Sequence, residues 1–214
     1  MTAKIIPSNG PVATNSRAER ELYEALRTLD SEFTVIHSFP WLNSAVATID
    51  YHKAMIGETD FIVLHPNLGI LAIEVKGGHF STQDGRFIYV NTGAEFDPLR
   101  QLQKGIFTLD KYIKKAGLRV RVGKAFFFPD VIIPSDFAPP ILKDIAGLPD
   151  SRIYIDATER SKIQKRIIEI MKFWRTNLPP ANLTQKNIET LVELISPSGS
   201  NIVTWEVIVN NDRH

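Results

Sequence analysis

The sequence predicts an α/β or α+β layered domain, with a central mixed β-sheet flanked by helices. Three observations carry this expectation. Helical and strand-like patterns follow one another as helix, strands, helix, strand, helices. Two apolar runs, Phe61 to Leu64 and Ile70 to Val75, are separated only by HPNLG, whose Pro, Asn and Gly suit a tight connection. A segment rich in Phe, Val and Ile, Lys124 to Ile133, reads as a central strand.

In chain order, residues 1–14 carry Pro, Ser, Asn and Gly and read as a flexible N-terminal arm. Asn15 or Ser16 can cap a helix through ERELYEALRTL, where Leu22, Leu26 and Leu29 recur at helical spacing. Phe33 to Phe39 alternates as a strand, and a polar loop runs on to about residue 57. After the two apolar runs a short strand is expected at Arg86 to Val90. Pro98 opens a helix that Gly117 can stop. Pro129 argues for a bend or an edge near the end of the Lys124 to Ile133 strand. Residues 134–150 read as a Pro-rich connection, and Ile153 to Ile155 as a short strand. Helices are expected at about 158–176 and 184–195, and a closing strand at Ile202 to Val209. The expected organisation is an arm over 1–14, a core over 15–133 and an extension over 134–214 that completes or flanks it.

Composition narrows the chemistry. The 214 residues are 43% apolar and 23% charged, as in an ordinary globular chain long enough to bury a core. A net charge of +1 means that any nucleic-acid partner must be argued from local patches. The absence of cysteine excludes disulfides, thiolate metal sites and cysteine nucleophiles. The N-terminus lacks a signal-peptide apolar run, and no stretch approaches a membrane span. The expectation is a cytoplasmic protein without a membrane partner. The five histidines show no zinc spacing, and no P-loop motif is present.

The informative segment is GETDFIVLHPNLGILAIEVKGG, Gly57 to Gly78. Glu74 and Lys76 are two residues apart, so on a strand they share a face. Folding the hairpin about Pro66 to Leu68 sets Asp60 opposite Glu74, where directly paired side chains lie about 5 Å apart at Cβ. Two carboxylates that close repel where water is scarce, and a hard divalent cation relieves them. Asp60 and Glu74 would hold Mg²⁺ or Mn²⁺, with the Val75 carbonyl as a further ligand. Lys76 would orient water or offset charge on a phosphate. Gly77 and Gly78 leave room for a bulky backbone. Glu-x-Lys alone is usually a salt-bridged surface pair; Asp60 in hairpin register makes the cluster a candidate site.

This string closely resembles the core of the NERD, or nuclease-related, domain, over roughly residues 15 to 115. That family belongs to the PD-(D/E)xK superfamily, so the resemblance implies a restriction-endonuclease-like core. It also implies a Mg²⁺- or Mn²⁺-dependent endonuclease or nickase acting on DNA, in repair or in defence against foreign DNA, with a helicase or ATPase as a partner protein. The catalytic set implied is Asp60, Glu74 and Lys76, with Glu19 from the first helix and Gln101 from the Pro98-x-x-Gln101 that opens the next. Glu21 and Glu24 compete with Glu19. Thr59 stands where the superfamily name places a Pro. The alternative is a catalytically weak nucleic-acid-binding or assembly module with a nuclease fold. A homo-oligomer is left open.

One further stretch, Lys111 to Lys124, contains six basic residues and no acidic one. Lys111, Lys114, Lys115, Arg119, Arg121 and Lys124 are therefore candidate phosphate contacts, although cations are favoured at a helix C-terminus anyway.

Overall fold

The computed structural model describes residues 2–8, 14–42, 56–134, 153–178 and 182–196. The expected Pro-rich connection beyond residue 134 and the closing strand at 202–209 lie outside the described residues, as does Pro179-Pro180, whose paired prolines make it the sequence's candidate for a subdomain boundary.

The elements are β1 (Lys4–Ile6), α1 (Arg17–Arg27), β2 (Thr34–Leu42), β3 (Ile56–His65), β4 (Gly69–Val75), β5 (Phe80–Gln83), β6 (Arg86–Tyr89), β7 (Glu95–Phe96), α2 (Pro98–Lys115), β8 (Val122–Phe128), β9 (Tyr154–Asp156), α3 (Ile163–Asn177) and α4 (Gln185–Ile195). A 3-10 turn, Ala157–Lys162, leads into α3. The fold is α+β, consistent with a restriction-endonuclease-like core. Its main sheet has the order β1-β2-β3-β4-β8-β9, and a smaller sheet holds β5-β6-β7. The main sheet is mixed: β2–β3 and β3–β4 are antiparallel, whereas β1–β2, β4–β8 and β8–β9 are parallel.

Local chemistry explains the helix ends. Ser16 caps α1, its Oγ accepting from Glu19 N at 3.2 Å. Asp97 caps α2 by accepting from Arg100 N, with Pro98 at the first helical position. Gly117 beyond α2 takes φ +72°, the left-handed conformation that ends a helix cheaply. Thr184 and Asn187 form a reciprocal capping box on α4.

Alternation on β3 divides the core between two faces. Phe61 and Val63 pack with Leu22, Tyr23 and Leu26 of α1 and Ile167, Ile170 and Trp174 of α3. Ile62 and Leu64 pack with Leu109 and Ile113 of α2 and Ile188 and Leu191 of α4. With helices on both sides, β4 is buried at all seven positions, which is why it reads as a continuous apolar run.

The structure corrects several sequence expectations. Residues 4–6 are not a loose arm; they pair in parallel with Thr34–Ile36 as an edge strand, too short to show a period. The strand expected to reach Ile133 stops at Phe128, because Pro129 cannot continue a ladder. Strands β5 and β7 escaped prediction because they are four and two residues long and polar on one side. The helix expected from about 158 begins as a 3-10 turn and becomes α-helical at Ile163.

Candidate active site

Strands β3 and β4 pair only from Phe61↔Ile73 to His65↔Gly69. Before Phe61, β3 stays with β2, out to Leu42↔Ile56. After Ile73, β4 stays with β8, through Glu74↔Phe126 and Val75↔Phe127. The two strands therefore fork, and Asp60 and Glu74 stand one residue beyond the last pair, opposite each other as the hairpin register expects.

One bond spans the fork. Asp60 Oδ2 accepts from Val75 N at 2.6 Å. Lys76 N, by contrast, donates to Phe127 O at 3.0 Å on the other side of β4. Amides alternate sides along a strand, while the N–H and C=O of one residue point the same way. The Val75 carbonyl thus faces the fork beside Asp60.

The carboxylates are deeply buried, with Asp60 6% and Glu74 0% exposed. Lys76 Nζ lies 2.7 Å from Glu74 Oε1, and Glu74 Oε2 has no hydrogen-bond partner. Burial pushes Asp60 well above the usual carboxylate range, and the Glu74 charge adds to this. Burial also raises Glu74, to about 7, against the opposing pull of Lys76. For Lys76, burial works to lower the pKa, but the Glu74 carboxylate outweighs it and the result is raised. Lys76 is a cation at neutral pH, facing two acids that ionise reluctantly. A buried, unpartnered carboxylate oxygen beside a second carboxylate and a backbone carbonyl is a hard-oxygen donor set, and it fits Mg²⁺ or Mn²⁺ better than soft metals.

The structure also separates the three glutamates of α1. Glu21 pairs with Arg160 and Glu24 with Arg27. Glu19 instead approaches His37 of β2, Oε2 to Nε2 at 3.6 Å. Its charge reaches the fork and contributes to raising both Asp60 and Glu74. Gln101 lies half-buried in the first turn of α2. Since α2 carries the chain from the C-terminal end of β4 back to the start of β8, this first turn sits at the fork end of the sheet. No side-chain bond joins Gln101 to the three charged residues.

The basic stretch lies elsewhere. In the parallel β4–β8 pair Glu74 is level with Phe126, while Val122 is level with Ile70, four residues and about 13 Å back. Lys111, Lys114 and Lys115 end α2 at that far side, and Arg119 and Arg121 precede β8. Lys114 is paired with Asp110. Lys124 is level with Ala72, nearer the fork. The structure therefore does not bring the stretch together with Asp60, Glu74 and Lys76.

Among the described residues one other group, Asp30, Glu32 and His65, has metal-ligating atoms within 4.8 Å of one another. His65 Nδ1 accepts from both Asn67 N and Leu68 N at 3.1 Å. The ring proton therefore sits on Nε2, which faces Glu32 at 3.5 Å and has no lone pair to offer a metal.

Two residues near the fork were missed by sequence reasoning. Asp130, just after Pro129, accepts from Gly78 N at 2.7 Å and from Arg17. Burial opposes its ionisation, but these donors outweigh it and hold its pKa below the usual range. Glu58 accepts from Ser38 Oγ at 2.6 Å, and its charge adds to the raising of Glu74. No local pattern marks Asp130, which is far from the motif in sequence. Glu58, next but one to Asp60, was legible in the motif but unassigned.

A fork carrying Asp, Glu-x-Lys and a helix glutamate on a mixed sheet is accompanied by a match of the sequence to the nuclease-related domain, NERD, over residues 14–129. The chain belongs to the NERD family. The matched span runs from the cap of α1 through β8, so the family region holds Glu19, Asp60, Glu74, Lys76 and Gln101. No curated protein and no solved structure matches the chain. Membership supports a nuclease-related function. Among the described residues no helix is long and apolar enough to cross a membrane.

Proposed function

We propose that this NERD domain is a metal-dependent nuclease that hydrolyses DNA phosphodiester bonds as an endonuclease or nickase. The observation that carries the reading is the fork itself: Asp60 bound to the amide between Glu74 and Lys76, with Glu74 fully buried and one of its oxygens unpartnered. A structural role explains this poorly, since buried charges are costly unless matched.

Asp60, Glu74 and the Val75 carbonyl would hold Mg²⁺ or Mn²⁺. The bound ion would supply a Lewis acid for the phosphate and a more acidic water. The chain does the rest. The Val75 amide orients the Asp60 carboxylate, leaving Asp60 Oδ1 free to turn into the fork. Glu74 keeps the Lys76 ammonium charged and positioned. Lys76 would then offset the charge that develops on the phosphate oxygens. Glu19 would hold a water at the rim of the fork, and Gln101 would hydrogen-bond a water or a phosphate from α2.

The test is incubation with supercoiled plasmid in Mg²⁺ or Mn²⁺, beside Asp60→Ala and Lys76→Ala. Relaxed or linear product from the wild type alone supports the reading. Intact plasmid with retained binding by all three proteins would instead establish the alternative, a nucleic-acid-binding or assembly module with a nuclease fold. A helicase or ATPase on a separate polypeptide fits either case as the partner that opens DNA. Lys111, Lys114, Lys115, Arg119, Arg121 and Lys124 would serve a more distant stretch of the same strand.

A further inference from the structure

Immediately beyond Lys76 the chain opens into a cleft of about 480 Å³ lined by Ser16, Arg17, Gly77, Gly78, His79 and Asp130. Gly77 and Gly78 have figured so far only as room for a bulky backbone and Asp130 only as a neighbour of the fork, and none of the six has been given a substrate contact. Three features set the cleft apart from ordinary surface. Gly78 takes φ +89°, and nothing lies within 4 Å of where a Cβ would stand, so bare backbone faces open space. Gly77 is held tightly on its other side, with its Cβ position 3.2 Å from Ala18 Cβ, so α1 is pressed against this backbone. Finally, Asp130 ties the two walls together, accepting from Gly78 N and from Arg17.

The Arg17 side chain is nevertheless 60% exposed. A guanidinium has five N–H donors in a rigid fork, and Asp130 engages Arg17 through Nη2 alone. The donors that Asp130 leaves unengaged can meet two oxygens of one phosphate side by side, the geometry in which arginine binds most firmly. Distance also suits. Two residues of extended chain span at most about 7 Å, so Gly78 lies within reach of the phosphate next to the one that Lys76 would meet.

We propose that Arg17, braced by Asp130 against Gly78, binds the phosphodiester that flanks the scissile one and so sets the register of the strand across Lys76. This deepens the nuclease reading and rests on it for the nature of the substrate. Arg17 is a binding residue here and Asp130 a positioning residue. His79, exposed at the cleft wall, faces the same strand.

The experiment measures binding of a fluorescent duplex DNA by anisotropy in EDTA across a series of NaCl concentrations. Wild type, Arg17→Gln and Arg17→Lys are compared, and the same preparations are assayed for plasmid cleavage in Mg²⁺ or Mn²⁺. Arg17→Gln is expected to bind about tenfold more weakly at low salt, with the slope of log K against log[salt] reduced by about 0.9. Arg17→Lys keeps the charge without the fork, so it should keep the slope and lose part of the affinity. Unchanged affinity and slope in Arg17→Gln, with cleavage as in wild type, overturns the proposal and leaves the nuclease reading intact. A wild type that binds but never cuts, together with weakened binding in Arg17→Gln, overturns the nuclease reading and leaves the phosphate contact standing. A wild type that does not bind DNA overturns both.

Discussion

The Val75 amide donates to Asp60 Oδ2 at 2.6 Å, and this bond is the clasp across the point where β3 and β4 separate. Val75 sits between Glu74 and Lys76, so the clasp positions the whole cluster as a unit. Asp60→Asn keeps the shape and can still accept from Val75, but it removes a carboxylate that burial and Glu74 both disfavour. The expected outcome is a cleavage rate lower by at least about 100-fold, with a metal-free protein at pH 8 no less stable than wild type. A Tm that falls by several degrees in EDTA would contradict the like-charge argument.

Glu74 gives stability a pH dependence with a definite sign. Its pKa rises from an ordinary 4.5 to about 7, so the folded state holds its proton more tightly than the unfolded chain does. This favours folding most fully below about pH 4.5, and the advantage is lost as pH rises through about 7, amounting to about 3 kcal/mol. Without metal, Tm should therefore decline between pH 5 and pH 8. Mg²⁺ or Mn²⁺, which binds the ionised form, should raise Tm more at pH 8 than at pH 5. Thermal melts at both pH values with and without metal check this, and Glu74→Gln should weaken both the pH trend and the metal effect, with the buried Asp60 supplying what remains of the trend.

Lys76 pairs with Glu74, and a second role, at the phosphate, is proposed for it. Lys76→Met keeps the aliphatic stem but strips Glu74 of its cation. Cleavage should fall about 100- to 1000-fold, and Tm at pH 8 should drop because a buried carboxylate is left uncompensated. Adding Glu74→Gln to Lys76→Met should restore Tm but not activity. Because Glu74 is also a proposed metal ligand, the single variant decides the other role: cleavage at the wild-type rate in Lys76→Met would rule out a direct role for Lys76.

Gly123 tests the packing on the α3 side of the sheet. A Cβ there would stand 2.6 Å from Cδ1 and Cγ of Trp174, whose Nε1 donates to Lys124 O at 2.8 Å. Gly123→Ala must displace the indole and should cost about 1–3 kcal/mol in denaturant unfolding. Gly123→Ala in a background of Trp174→Phe should cost less. Equal costs in both backgrounds would mean that the indole does not set the limit.

Ser38 shows how a strand can evade pattern reading. It takes φ +59° midway along β2, while pairing continues through His37↔Phe61 and Phe39↔Thr59. Ile36 and Phe39, three apart, consequently pack in one cluster, which alternation alone forbids. The twist falls opposite Asp60, where Ser38 reaches Glu58.

By itself the sequence determined the chemistry of the fork and the elements that carry it. Glu74 and Lys76 share a face because strand side chains repeat every two residues, and Asp60 falls opposite Glu74 because a short Pro–Asn–Gly connection sets the hairpin register. Those are local rules, and local rules can be read from a string. Tertiary structure decided which groups join them from afar. It set Glu19 beside His37 and gave Glu21 to Arg160, while Glu24 pairs with Arg27 inside α1 itself, it brought Asp130 to Gly78 and Arg17, and it left the basic stretch at the opposite end of β4 and β8. Contacts between residues more than a hundred positions apart follow from how α1 docks on a sheet, a sum of many weak packing terms that no short motif records.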